Sequence, residues 1–126
     1  MKPRAQKIIN RLARKVTKLK PPIHIIAICS GGKTVGECTL NYLKSKNIES
    51  SYYEVWTNII NGKAKIWKTN FYKKDYKGTV LIVEDVIWKG TAVKAVRKYL
   101  YGMKKKKVYS AVLLDYNHKA DFSVFH

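Results

Sequence analysis

The chain has 126 residues, 46% of them hydrophobic, enough for one domain with a buried core but not for two. Its 26 lysines and arginines outnumber 8 acidic residues, a formal net charge of +18; such a field suits a small polyanion or a nucleic-acid backbone, and solvated lysine-rich turns such as Lys104–Lys107 account for part of it. No apolar stretch nears the ~18 residues of a membrane span, the basic N-terminus lacks a signal-like apolar run, and neither the two cysteines (Cys29, Cys38) nor the three histidines (His24, His118, His126) show disulfide or metal-ligand spacing, so a soluble, cytoplasmic protein without a membrane partner is expected.

Between Pro3 and Leu19, the apolar residues Ile8, Ile9, Leu12, Val16 and Leu19 recur at helical spacing, with basic residues on the remaining face. This predicts an amphipathic N-terminal helix within residues 1–20 that packs on the domain and stops at Pro21 and Pro22. Ile23–Cys29 is an apolar run broken only by His24 and reads as a buried strand. It ends in Ser30, Gly31, Gly32, Lys33 and Thr34. Glycines between a strand and a helix let the backbone approach a ligand closely, and Lys33 with the two hydroxyls adds donors. An ordinary tight turn would look the same, and the glycine–lysine spacing of a Walker loop is missing.

A helix is expected from Lys33 to about Lys46, with Val35, Cys38, Tyr42 and Leu43 on one face, followed by a strand over Tyr52–Trp56. Residues 57–78 contain six lysines, along with Trp67, Phe71 and Tyr72, and little periodicity. Lys63 to Trp67 alternate, so this segment is either a mobile loop or a solvated hairpin.

Val80 to Val83 forms another buried strand run and leads into two adjacent carboxylates, Glu84 and Asp85. Val86 and Ile87 follow, then Trp88, Lys89, Gly90, Thr91 and Ala92, where a helix begins. In open α/β sheets, ligands bind at the carboxyl ends of strands, so the chemistry is expected here. Paired carboxylates suit vicinal sugar hydroxyls or the water shell of Mg²⁺, and the free N–H groups of a helix start suit a phosphate. With only 8 acidic residues in the chain, two together on a hydrophobic strand end are poorly explained by solubility. Val93, Val96 and Leu100 mark the helix that follows and ends at Gly102, and Val108–Leu114 reads as the next strand.

The segment Val80–Ala92 resembles the phosphoribosyl-pyrophosphate (PRPP) binding motif of the type I phosphoribosyltransferases: apolar residues, an acidic pair, two apolar residues and a glycine- and threonine-containing loop. The resemblance implies a three-layer α/β fold with a mainly parallel sheet, here preceded by an extra N-terminal helix. It also implies transfer of ribose 5-phosphate from PRPP to a nitrogenous base, a purine by the resemblance to purine-type members although the Gly90-Thr91-Ala92 ending is particularly similar to the orotate branch, with release of pyrophosphate. By the same resemblance Glu84 and Asp85 hold the ribose hydroxyls, and either one carries Mg²⁺, directly or through water. Trp88, Lys89, Gly90, Thr91 and Ala92 fall on the 5′-phosphate cradle, and Ser30, Gly31, Gly32 and Lys33 on the pyrophosphate loop. The lysine-rich segment falls on the family's mobile loop, from which Lys65 or Lys68 would enter on closure. Beyond the last long strand, Lys119, Ala120, Asp121 and Phe122 resemble the lysine-Pro-Asp-Phe stretch of purine-type members, which makes Lys119 and Phe122 base contacts; a surface turn is the competing reading.

The sequence departs from the pattern at Trp88, where hypoxanthine-type members carry an aspartate able to act as general base, and at Lys89, where a small residue is usual. The chain stops at His126, where purine-type relatives continue into strands that stack an aromatic on the base. Phe122, Phe125, Trp88 or a partner subunit of a homodimer would have to replace that platform. Two readings therefore stand. One is an active phosphoribosyltransferase; the other is a catalytically impaired relative that binds or regulates and touches nucleic acid through its basic surface.

Overall fold

The computed structural model describes residues 2–72, 77–103 and 107–125. Lys104 to Lys106 of the lysine run, four residues of the 57–78 segment and His126 lie outside them. Among the described residues three helices, α1 (Pro3–Val16), α2 (Lys33–Ser45) and α3 (Thr91–Gly102), pack on a six-stranded sheet. Its strands are β1 (Ile23–Cys29), β2 (Ser50–Ile60), β3 (Lys63–Thr69), β4 (Thr79–Ile87), β5 (Val108–Asp115) and β6 (Phe122–Phe125), in the spatial order β3-β2-β1-β4-β5-β6. Every pairing is parallel except the β2–β3 hairpin. The chain is thus a three-layer α/β structure with a mainly parallel sheet and an N-terminal helix.

The strands are apolar on both faces because both faces are covered. Ile23, Ile25, Leu81, Val83, Ala111 and Phe122 meet Ile9, Leu12 and Val16 of α1 and Val35, Cys38 and Leu43 of α2. On the other face Ile26, Ile28, Val55, Val80, Ile82 and Val112 meet Val93, Val96 and Leu100 of α3. Burial of β1 and β4 on both sides fixes their register, since a slip of one residue would exchange the two sets. Proline at the first turn starts α1, where its missing N–H is no loss. Asn47, at φ 59°, closes α2 in the left-handed conformation that asparagine tolerates.

Several boundaries differ from the sequence reading. Helix α1 ends at Val16, not Leu19; Leu19 is still buried, as part of the turn that leads to Pro21 and Pro22. Strand β2 runs to Ile60, well past Trp56, because pairing with β3 satisfies its backbone up to the Asn61–Gly62 turn. Strand β4 continues to Ile87, so the acidic pair lies within a strand, not after one. The segment after β5, for which the sequence suggests a base-contacting stretch or a surface turn, contains a strand, β6. No helix among the described residues is long and apolar enough to cross a membrane.

Candidate active site at the carboxyl ends of β1 and β4

The central parallel strands β1 and β4 each run into a glycine-containing turn that opens a helix, so the N-termini of α2 and α3 stand at the same end of the sheet. Both present the positive end of a helix dipole and unpaired N–H groups. Between them, alternation along β4 sends its two carboxylates to opposite sides.

Asp85 faces the first turn. A methyl group placed on Gly31 would lie 2.7 Å from Asp85 Oδ1, so only glycine leaves that carboxylate in position, where its Oδ1 also accepts a hydrogen bond from Val86 N at 2.8 Å. Gly32 is tighter still: a methyl there would sit 2.4 Å from the Val83 carbonyl oxygen and 2.8 Å from that of Ile28. The turn is held by Gly32 N donating to Ile28 O at 2.7 Å and Lys33 N to Ser30 O at 3.2 Å; the Cys29–Ser30 peptide is cis. Thus Ser30, Gly31, Gly32, Lys33 and Asp85 form one cluster.

Glu84 faces the second turn. It lines a cleft of about 310 Å³ with Ile59, Val86, Ile87, Trp88, Lys89, Gly90, Thr91 and Ala92. Burial, and secondly the charge of Asp85 beside it, pushes the Glu84 carboxyl up to about 7. Gly90 takes φ 74°, and its carbonyl receives the Lys94 N–H at 2.9 Å to begin α3. The Trp88 indole stands 63% exposed at the mouth, its ring centroid 4.8 Å from that of Tyr116, while its carbonyl accepts a hydrogen bond from Asn117 Nδ2.

The turn after β5 is organised by Asp115, a buried carboxylate that the sequence reading gave no role. Its two oxygens accept the N–H groups of Lys119 at 2.9 Å and Ala120 at 2.8 Å. This folds the Lys119 side chain over Gly90, 3.2 Å from where a β-carbon there would lie, and brings it beside Lys89, Lys94 and Arg97 around a recess of about 240 Å³. Lys119 thus stands behind the second turn. Phe122 is elsewhere: it is 8% exposed, packed on Tyr109 in the α1-side core and covered by the Lys18 ammonium, along a separate groove of about 540 Å³ beside α1. Phe125, half exposed on β6, carries the Arg11 guanidinium above its ring.

Glu54 is a further site residue that the sequence reading missed. Lys33 Nζ lies 4.0 Å from Glu54 Oε2, the same oxygen that accepts the Tyr52 hydroxyl at 2.9 Å. Burial with this carboxylate raises the Tyr52 phenol, and the Cys29 thiol is pushed up to about 11, first by burial and then by Glu54. Glu54 is a lone acid in an aromatic strand run, and that isolation was the available signal. Lys33 is accordingly drawn toward β2. His24 lies at the opposite end of β1, its ring nitrogens 2.8 Å from Ser51 Oγ and 2.9 Å from Lys77 O, away from this chemistry.

No group of three or more histidine, cysteine or acidic side chains that could hold a metal occurs among the described residues. The carboxylates of Glu84 and Asp85 nevertheless fit Mg²⁺, a hard cation that takes one or two protein carboxylates and fills its remaining positions with water and substrate phosphate oxygens.

No protein-family model and no curated protein matches the chain. Solved structures do. A hypoxanthine-guanine phosphoribosyltransferase from Bacillus anthracis superimposes with a TM-score of 0.77 at 19% identity, over 95% of this chain and 75% of that one. A purine phosphoribosyltransferase from Pyrococcus horikoshii gives 0.75 at 22% identity, over 94% and 80%. A Trypanosoma cruzi hypoxanthine phosphoribosyltransferase complexed with its product IMP gives 0.78 at 18%, over 95% and 66%. The strand order, the two glycine turns at one end of the sheet and these superpositions lead to the same conclusion: the chain has the fold of the purine and hypoxanthine phosphoribosyltransferases.

Proposed function

We propose that the protein is a phosphoribosyltransferase that binds PRPP across the ends of β1 and β4 and transfers its ribose 5-phosphate to a purine or related nitrogenous base. The observation that carries this reading is the division of the acidic pair: Asp85 stands against the Gly31–Gly32 turn and Glu84 lines the Lys89–Ala92 turn. A ligand matching that arrangement has two anionic groups joined by a hydroxyl-bearing centre. PRPP has that form, with pyrophosphate at the first turn, 5′-phosphate at the second and ribose between.

In the reaction, the bond between ribose C1 and the pyrophosphate oxygen breaks as a bond from C1 to a base nitrogen forms. Positive charge grows on the sugar ring and negative charge on the leaving group. Glu84 and Asp85 fix the ribose hydroxyls, the Gly31 amide meets the pyrophosphate while the Gly32 N–H, expected from sequence to do the same, stays committed to Ile28 O, and Lys33 leaves Glu54 to join Gly31. Lys89, Gly90, Thr91 and Ala92 cradle the 5′-phosphate. Asp85 or Glu84 would hold Mg²⁺, which would neutralise charge on the departing pyrophosphate. Much of the acceleration comes from positioning. The Trp88–Tyr116 ring pair offers a planar base its platform at the cleft mouth, with Lys119 approaching from behind Gly90.

The alternative, a binder without turnover, draws its support from Trp88, whose indole cannot accept a proton where a base would dock. Pyrophosphate release from Mg²⁺-PRPP in the presence of adenine, hypoxanthine, guanine, xanthine or orotate separates the two. Turnover with any one supports the enzyme. PRPP binding without turnover on the whole panel supports the binder.

A further inference from the structure

The β2–β3 hairpin carries an aromatic and cationic face, of which the PRPP reading uses at most one lysine, Lys65 or Lys68, and neither indole. Val55 and Ile66 pack into the α3-side core, so their strand neighbours emerge on the opposite face. On β3 those neighbours are Lys63, Lys65, Trp67 and Lys68, all exposed. A bulge opposite Trp56 and Thr57 inserts Trp67 as an extra residue, and its ring lies 6.0 Å from that of Trp56. Trp67 is 57% exposed.

Edge-strand lysines have an ordinary explanation, since they discourage pairing with another sheet. A large exposed indole on the same edge works against that purpose and calls for another account. From Val55 through Lys74 the sequence has no acidic residue. A second copy of the chain meeting this face about a two-fold axis would set lysine against lysine, which disfavours self-association there. The complementary occupant is a flexible polyanion with flat rings.

We propose that this face binds single-stranded nucleic acid, with bases stacked on Trp67 and Trp56 and phosphates on Lys63, Lys65 and Lys68. Stacking on an aromatic within a cationic groove is the sequence-tolerant mode by which single strands are held. Ile59 borders the Glu84 cleft from the other face of the hairpin, whereas Trp56 pairs with Cys29 and shares its face with Glu54, so this surface adjoins the first turn of the proposed PRPP site and reaches beyond it to Trp67 on the edge strand.

The test is titration of the full chain with labelled oligouridylate and oligothymidylate octamers at near-physiological salt, followed by anisotropy and tryptophan fluorescence. Binding with quenching is expected. Trp67→Ala should weaken it about 5- to 150-fold, the range for loss of one stacked base, while Trp67→Phe keeps most of the affinity. Combined Lys63→Ala and Lys65→Ala should lower the slope of log affinity against log salt by about 1.4, whereas Lys7→Ala on α1 leaves the quenching intact. A preference between the two octamers tells whether the natural strand is RNA or DNA. Unchanged affinity in Trp67→Ala, or equal competition by heparin, would reduce the binding to bulk charge and overturn the proposal. So would a wild-type dimer that Trp67→Ala converts to monomer. Calorimetry with Mg²⁺-PRPP on Trp67→Ala should match the wild type, keeping the two sites distinguishable.

Discussion

The two turns that face the proposed ligand look alike in sequence, each a strand, a glycine, a lysine and a helix, yet glycine is required for different reasons in each. At the end of β1 the need is space: Gly32 keeps an ordinary backbone conformation, and a β-carbon would strike the carbonyl oxygens of Val83 and Ile28. At the end of β4 the need is conformation: Gly90 has φ 74°, and its nearest outside neighbour is the flexible side chain of Lys119. The first turn is welded to the strand that carries the acidic pair, so its distortion reaches Glu84 through the backbone. The second is a hinge-like start to α3 whose strain stays local.

That contrast sets the size of the expected effects. Gly32→Ala should be the most damaging: backbone oxygens cannot rotate aside, and β1 and β4 must separate. A loss of roughly 3 kcal/mol or more, seen as a fall in Tm on the order of 10 °C, is expected in thermal unfolding. A tolerated substitution would show that the turn is looser than the packing implies.

Glu84→Gln probes the carboxylate beside the second turn. Its folded value, about 7, is above the ordinary carboxylate value of 4.5, so the fold favours the protonated form. Its contribution to stability is therefore present below about pH 4.5, declines as pH rises and is lost above about pH 7. The glutamine variant, neutral throughout, should gain on the wild type across that window and plateau roughly 1–3 kcal/mol more stable above it. Chemical denaturation at pH 5, 6, 7 and 8 measures the difference; a constant gap would deny the shift.

Gly90→Ala should cost about 1–2 kcal/mol, the price of a left-handed residue with a β-carbon. Gly31→Ala should leave Tm nearly unchanged, because the Asp85 carboxylate can turn away, yet weaken Mg²⁺-PRPP binding about tenfold by displacing it. If Gly31→Ala instead unfolded the protein and kept its affinity, the roles assigned to these glycines would be reversed.

The sheet core was legible because continuous apolar runs have few uses other than a doubly covered strand. Ile23–Cys29 and the start of β4 are of that kind. Local sequence was silent where a residue's role depends on what lies across the sheet. Phe122 can be read as a base platform or a core residue from its neighbours alone; parallel pairing of β6 with β5 turns it under α1. Asp115 looks like any acidic residue after a strand until its carboxylate is seen closing the turn that delivers Lys119. The approach of Lys33 to Glu54 joins residues brought together only by parallel β1–β2 pairing, and that of Trp56 to Trp67 depends on a bulge whose register sequence alternation does not specify.

The central claim, that the two turns and the divided acidic pair form one PRPP site, is tested most directly by calorimetry of Mg²⁺-PRPP at near-physiological salt, with Mg²⁺-ATP as the polyphosphate control and Asp85→Asn as the variant. The account predicts saturable binding of PRPP that ATP does not match and that Asp85→Asn weakens about tenfold or more. Equal heats from ATP and PRPP, or an Asp85→Asn variant with wild-type affinity, would contradict it.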